Sequence, residues 1–198
     1  MLKYFAAICI LASGFCAAPL HQAPPPAPPP AVPQIDVEAE RYAIYSLFLK
    51  KIVADESVKV LVVENQTRPD TYSEDEWTGM KVEPGWQSVV DDYKTKNLQP
   101  AAVESRFKLP TTVKFISAQE VDHFFGEGGG WWKAFFQKYP KASGLVTFSN
   151  VGFNPEMTYS LVDVGYSCGG LCGNGALVLL VRKDGNWIIE RHLITWES

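Results

Sequence analysis

The sequence has few features of a nucleic-acid-binding protein. Its 18 lysines and arginines are outnumbered by 22 aspartates and glutamates, which gives a net charge of −4. The basic residues are scattered along the chain, whereas a nucleic-acid-binding domain normally carries a basic stripe. We therefore expect no nucleic-acid partner.

The common catalytic and cofactor-binding motifs are also missing. The sequence has no G-x-S-x-G nucleophile motif and no H-E-x-x-H zinc motif. It has neither a G-x-x-x-x-G-K-[ST] phosphate loop nor a G-x-G-x-x-G that opens a helix. We expect no cofactor, and these absences favour a non-enzymatic protein without deciding the matter.

The first 18 residues are typical of a secretory signal peptide. Lys3 supplies the positive start, and the apolar run behind it is too short for a comfortable membrane span. In residues 19–34 prolines alternate with Ala, Gln and His, which indicates a semi-rigid extended tether. Residues 35–198 then form a single globular domain. We expect export, either to the periplasm or out of the cell.

Cys16 suggests a second mature form. The segment Leu11-Ala12-Ser13-Gly14 resembles the stretch before the lipidated cysteine of bacterial lipoproteins. Phe15 departs from that pattern, because a small residue normally stands directly before the cysteine. The default expectation is a soluble exported protein, and a lipid anchor at Cys16 is the alternative.

The spacing of apolar residues predicts the order of the elements. Helical periodicity begins at Asp36 and again at Pro84, and an S-x-x-E capping box at Ser117 opens a third, short helix. An aromatic helix follows at Trp131–Tyr139. Residues 64–84 are predicted to be irregular.

Strands dominate the C-terminal part. Two hairpins are predicted there, one around Asn154-Pro155 and one around Asp184-Gly185. Helices first and hairpins last favour an α+β domain with an antiparallel sheet and its helices on one face. By analogy of shape, a cystatin-like or NTF2-like cone with an enclosed pocket is a candidate.

Cys168 and Cys172 stand between two predicted strands in a glycine-rich segment. One interpretation is a structural disulfide, which the surrounding glycines would accommodate. A second is a redox sensor, although thiol oxidoreductases use two intervening residues at a helix N-terminus. A metal site would need further ligands, and residues 35–198 contain no second cysteine pair, because Cys9 and Cys16 lie in the predicted signal peptide. The first interpretation is favoured, and no metal is expected.

Three further polar residues are candidates for a site. Asp163 interrupts an apolar strand, so its carboxylate either faces solvent or lines a pocket. His123 lies on the capped short helix and His192 in the last strand, and each is either a surface residue or part of that pocket.

The C-terminal third resembles a group of uncharacterised exported bacterial proteins. The shared patterns are S-x-V-G-F, C-G-x-L-C-G-x-G and G-x-W, which begin here at Ser149, Cys168 and Gly185. The resemblance implies export and brings no activity with it.

The leading hypothesis is an exported, non-enzymatic domain that binds a small molecule or a partner protein. One alternative is a hydrolase whose pocket joins Asp163 to a histidine. Another is a thiol-based sensor at Cys168 and Cys172. A cavity that brings Asp163 within hydrogen-bond reach of a histidine would favour the hydrolase.

Overall fold

The computed structural model describes residues 35–55, 58–80 and 82–198. The predicted signal peptide, the tether and Cys16 all fall within residues 1–34 and lie outside the described residues. Residues 35–198 group into one unit.

Five α-helices occur in the described residues. A 3-10 turn at Pro84–Trp86 leads into the third helix. The helices are α1 (Val37–Val53), α2 (Glu74–Gly79), α3 (Gln87–Lys96), α4 (Ala118–Phe125) and α5 (Trp131–Lys138). No helix among these residues has the length and apolar character that a membrane crossing requires.

Side chains cap three of these helices. The Asp36 carboxylate accepts hydrogen bonds from two amides in the first turn of α1. The predicted capping box of Ser117 and Glu120 is present at the start of α4. A second capping box, of Ser73 and Glu76, starts α2 within a segment that was predicted to be irregular.

The strands form one mixed sheet. Their order is β2-β1-β3-β5-β6-β7, and β4 pairs with β5. The strands are β1 (Val60–Glu64), β2 (Thr112–Ile116), β3 (Ala142–Phe148), β4 (Gly152–Phe153), β5 (Tyr159–Gly169), β6 (Cys172–Lys183) and β7 (Asn186–Glu197). β1 pairs in parallel with β2 and β3, and the other pairs are antiparallel. The predicted α+β class with a mostly antiparallel sheet is confirmed.

The last three strands form a meander joined by two tight turns. Asp184 and Gly185 both have positive φ, as the turn predicted between β6 and β7 requires. Gly169 pairs with Cys172, so β5 and β6 meet across the two residues Gly170-Leu171.

Helices pack on both faces of the sheet, not on one face as expected. On the first face, α1 contributes Tyr45 and Leu49 to a buried cluster with alternate strand residues such as Val63. On the second face, the intervening strand residues contact the other helices. Val62 packs with α4 and α5, and Leu177 packs with α3. The expectation of helices on one face was wrong, because the central strand β6 is apolar at consecutive positions and therefore has two faces to bury.

Candidate functional site

Asp163 lines a cavity of about 390 Å³ on the second face of the sheet. Five parts of the chain form its walls. They are the loop 68–72 after β1, Tyr93 of α3, residues 147–149 at the end of β3, Asp163 and Gly165 of β5, and Thr195 and Trp196 of β7.

The alternation of β5 explains why Asp163 faces this cavity. Val162 packs in the cluster under α1, so its neighbours Leu161 and Asp163 point to the opposite face. Leu161 is covered by the cluster around α3, whereas Asp163 lies beyond that cover and is half-buried. The sequence left open whether the Asp163 carboxylate faces solvent or lines a pocket, and the structure places it in the lining of this cavity.

The Asp163 carboxylate is held by Tyr72. The Tyr72 hydroxyl donates a hydrogen bond to Oδ2 of Asp163. Burial raises the pKa of Asp163 above its usual 3.8, and the nearby Asp70 charge acts in the same direction. The hydrogen bond from Tyr72 and the positive charge of Arg68 oppose this rise. Burial also raises the pKa of Tyr72, and the hydrogen bond to the Asp163 carboxylate raises it further. This phenol therefore remains a neutral donor.

Backbone and side-chain hydrogen bonds fix the loop that carries Tyr72. The Asp70 carboxylate accepts from the Tyr72 amide at 2.9 Å and from the Trp77 indole at 3.2 Å. The amides of Arg68 and Asp70 donate to the carbonyls of Phe148 and Asn97. These bonds hold the loop against β3 and α3, so the wall is formed before any ligand arrives.

Ser149 fixes the backbone below Asp163. Its hydroxyl accepts from the Asp163 amide at 2.7 Å and donates to the Asn150 carbonyl at 2.9 Å. The Ser149 amide donates in turn to the Asp163 carbonyl at 2.9 Å. This buried serine is therefore engaged with backbone and is not a free nucleophile.

The indole of Trp196 forms another wall by lying across three glycines. A Cβ atom at Gly173 would stand 3.2 Å from Cη2 of the indole, and one at Gly165 would stand 3.6 Å from Cζ2. A Cβ atom at Gly175 would overlap the ring near Nε1. Two of these glycines belong to the C-G-x-L-C-G-x-G pattern. Their role as the bed of an aromatic ring was missed in the sequence, because the partner tryptophan lies on another strand.

Cys168 and Cys172 are paired as a disulfide, with a Cα–Cα distance of 5.1 Å. The pair closes the tip of the β5–β6 hairpin. Neither cysteine lines the cavity around Asp163. The expected pairing of the two cysteines is therefore present, and the disulfide is separate from the candidate site.

The two candidate histidines lie elsewhere. His123 is exposed on α4, with its ring 5.6 Å from that of Phe124. His192 is exposed on β7 opposite Val178. Neither lines the Asp163 cavity, so the pairing that the hydrolase alternative needs is not formed by either one. In the described part of the chain, no set of three or more His, Cys, Asp or Glu side chains is placed to hold a metal ion.

A larger groove, of about 570 Å³, runs along α1 as far as Lys50. Its carboxylates are engaged: Asp36 accepts from two amides of α1 and Glu38 pairs with Arg41. Glu40 accepts hydrogen bonds from Arg182 and from the indole of Trp187, both at 2.7 Å. Oδ1 of Asp163, in contrast, accepts no hydrogen bond from the residues that the structure describes. The smaller cavity is therefore the better candidate for a ligand site.

No protein-family model, curated protein or solved structure matches this chain. The resemblance to cystatin-like or NTF2-like cones therefore stays a prediction, and the function must be inferred from the site itself.

Proposed function

We propose that residues 35–198 are an exported, non-enzymatic binding domain and that the Asp163 cavity holds a small molecule. The observation that carries this proposal is the half-buried Asp163 carboxylate, which lines a cavity and keeps one oxygen without a donor among the described residues. This oxygen is not among the described buried atoms that lack a hydrogen-bond partner, so it is accessible from the cavity. A ligand that carries a donor could therefore bond to it, and the fixed walls reduce the entropy lost on binding.

Binding is favoured over catalysis by the state of the polar groups around the carboxylate. Tyr72 is a neutral donor with a raised pKa, and Ser149 is engaged with backbone. A hydrolase needs a group that activates a nucleophile at the reacting centre, and neither His123 nor His192 lines this cavity.

Export is proposed from the N-terminal sequence together with the cysteine pair. Residues 1–18 have the composition of a signal peptide. A disulfide such as Cys168–Cys172 persists in the periplasm or outside the cell, where thiols are oxidised. A lipid on Cys16 is the alternative form, and it would be the only attachment to a membrane. The proposed partner is a small molecule or a protein, and not a nucleic acid.

A ligand screen by NMR tests the proposal. The isotope-labelled exported protein is exposed to mixtures of small molecules, and hits should shift the signals of Tyr72, Asp163 and Trp196. Asp163→Asn should weaken these hits, whereas Asp122→Asn, on the exposed surface of α4, should leave them unchanged.

Two outcomes would contradict the proposal. Hits that map only to the groove along α1 would place the binding function there. Chemical conversion of a hit, lost in Asp163→Asn, would favour the hydrolase alternative.

A further inference from the structure

We infer that the ligand of the Asp163 cavity carries an organic ammonium group, held between Oδ1 of Asp163 and the open face of the Trp196 indole. This inference rests on the proposed binding function and adds the chemical class of the ligand.

The charges of the cavity favour a cation. Arg68 is the only basic residue among the lining residues, and its Nε lies 2.9 Å from Oε2 of the buried Glu64. The positive charge of Arg68 is therefore balanced by the Glu64 carboxylate, which does not line the cavity. Asp70 and Asp163 remain, and their two carboxylates leave an excess of negative charge. An anionic ligand is disfavoured at such a site, and a cation is attracted.

The two carboxylates have different roles. Both oxygens of Asp70 already accept hydrogen bonds, from the Tyr72 amide and the Trp77 indole. Asp70 therefore adds charge without offering a free acceptor. Asp163 uses only Oδ2, for Tyr72. An ammonium N–H that donates to Oδ1 would form a charge-assisted hydrogen bond, which is about twice as strong as a neutral one.

The Trp196 indole supplies the second half of the contact. The glycines cover one of its faces, and the side chain is still 40% exposed. The other face is therefore open to a ligand. The face of an indole ring is electron-rich and attracts an ammonium group within about 6 Å of its centre. A neutral sugar could stack on the same ring and donate a hydroxyl to Oδ1, but it would gain no net attraction from the charges of the two carboxylates.

The experiment compares four probes on the full exported protein by NMR titration. Benzylamine carries the ammonium group, and benzyl alcohol is its neutral isostere. Phenylalanine places a carboxylate beside the ammonium, and methyl glucoside represents the sugar class. We expect benzylamine or phenylalanine to bind in the cavity at least about tenfold more tightly than benzyl alcohol. The order of affinity of benzylamine and phenylalanine distinguishes a free amine from a free amino acid as the source.

Three variants separate the two contacts. Asp163→Asn keeps an acceptor for Tyr72 and removes the charge, so it should weaken ammonium binding by about tenfold or more. Gly175→Ala should push the indole aside and weaken binding without touching the carboxylate. Gly170→Ala is the matched control, because a Cβ atom there meets nothing within 4 Å. Thermal unfolding establishes that each variant is folded.

The outcomes separate this inference from the proposed function. Benzyl alcohol or methyl glucoside binding in the cavity as tightly as benzylamine would overturn the ammonium inference and leave a binding cavity. Unchanged benzylamine affinity in folded Asp163→Asn would do the same. If no probe and no screened compound shifts signals from the cavity, the proposed function itself fails.

Discussion

At the scale of single residues, the main feature is a half-buried carboxylate that keeps one oxygen without a donor among the described residues. Burial raises the pKa of Asp163, although the Tyr72 hydroxyl and the Arg68 charge act against the rise. The folded protein therefore binds the Asp163 proton more tightly than the unfolded chain does. Such a group makes stability fall as the pH rises between the unfolded pKa and the higher folded pKa.

We expect Asp163→Asn to remove this decrease of stability with rising pH. The free energy of unfolding of the variant, relative to that of the native protein, should increase with pH above the usual aspartate pKa of 3.8 and level off beyond the raised pKa of Asp163. Urea unfolding of both proteins from acid to neutral pH measures the difference, with Asp122→Asn as the control. A relative stability that decreases over this interval would show that Tyr72 and Arg68 outweigh burial.

At the scale of elements, the short helix α2 anchors the wall of the cavity. Its N-cap residue, Ser73, directly follows Tyr72, the residue that binds Asp163. The Ser73 hydroxyl accepts from the Glu76 amide, and a Glu76 carboxylate oxygen accepts from the Ser73 amide. The capping box thus fixes the backbone next to the site, although it lies outside the cavity.

Two matched substitutions test this role. Ser73→Ala and Ser117→Ala each remove the side chain of a capping box, and each should cost about 1 kcal/mol in the free energy of unfolding. Only Ser73→Ala should also shift the NMR signals of Asp163, which is distant from both serines in the sequence. Equal effects of both variants on those signals would mean that α2 does not position the loop.

The disulfide at the tip of the β5–β6 hairpin should serve stability alone. Replacement of both Cys168 and Cys172 by serine should cost about 2 kcal/mol, the loop-entropy value for so small a ring. Ligand binding in the Asp163 cavity should persist. Reduction of the native protein is the control and should cost about as much as the double substitution. Loss of ligand binding at unchanged stability would support the redox alternative.

Local signals in the sequence predicted most of the elements. The capping box at Ser117 and the Asp184-Gly185 turn both mark the positions at which the structure has them. The box at Ser73 is the same S-x-x-E signal, and it could have revealed α2. The parallel pairing of β1 with β2 and β3 was not predictable in this way, because it depends on which distant segments meet.

In the candidate site, too, the residue marked by a local signal was predictable and the residues that depend on distant contacts were not. Asp163 stood out because a carboxylate interrupts an apolar strand. Its partner Tyr72 lies 91 residues earlier in the chain, in a segment without clear periodicity. Trp196 reaches the site only because β7 pairs with β6 opposite Gly175. The tertiary contacts of the loop 68–72 and the pairing of β7 with β6, and not any local signal, bring these residues together.

At the scale of the whole molecule, the described residues contain a core of their own. Residues of α1 pack with all the central strands, and the Asp36 cap at the start of α1 lies within this unit. The proline-rich segment has no apolar periodicity that could add to this core.

A protein that begins at Ile35 should therefore melt within a few degrees of the complete exported form. It retains Asp36 and the whole of the core, and scanning calorimetry of the two forms measures the difference. A protein that begins at Tyr42 is the control, because it lacks the first turn of α1 and should melt at a clearly lower temperature. A large drop for the form beginning at Ile35 would mean that residues before it contribute to the core.

The mixed pairing of the sheet also has a consequence for the order in which the molecule folds. Strands β5, β6 and β7 are joined by two-residue turns, whereas β1 must find partners such as Thr112 far along the chain. Local pairings close small loops and form early, and distant parallel pairings form late. Pulsed hydrogen exchange should thus find the amides of β6 protected before those of β1. Because Asp163 belongs to the early half and Tyr72 follows the late strand β1, a folding intermediate would lack the complete cavity. Ligand binding would then report the last step of folding.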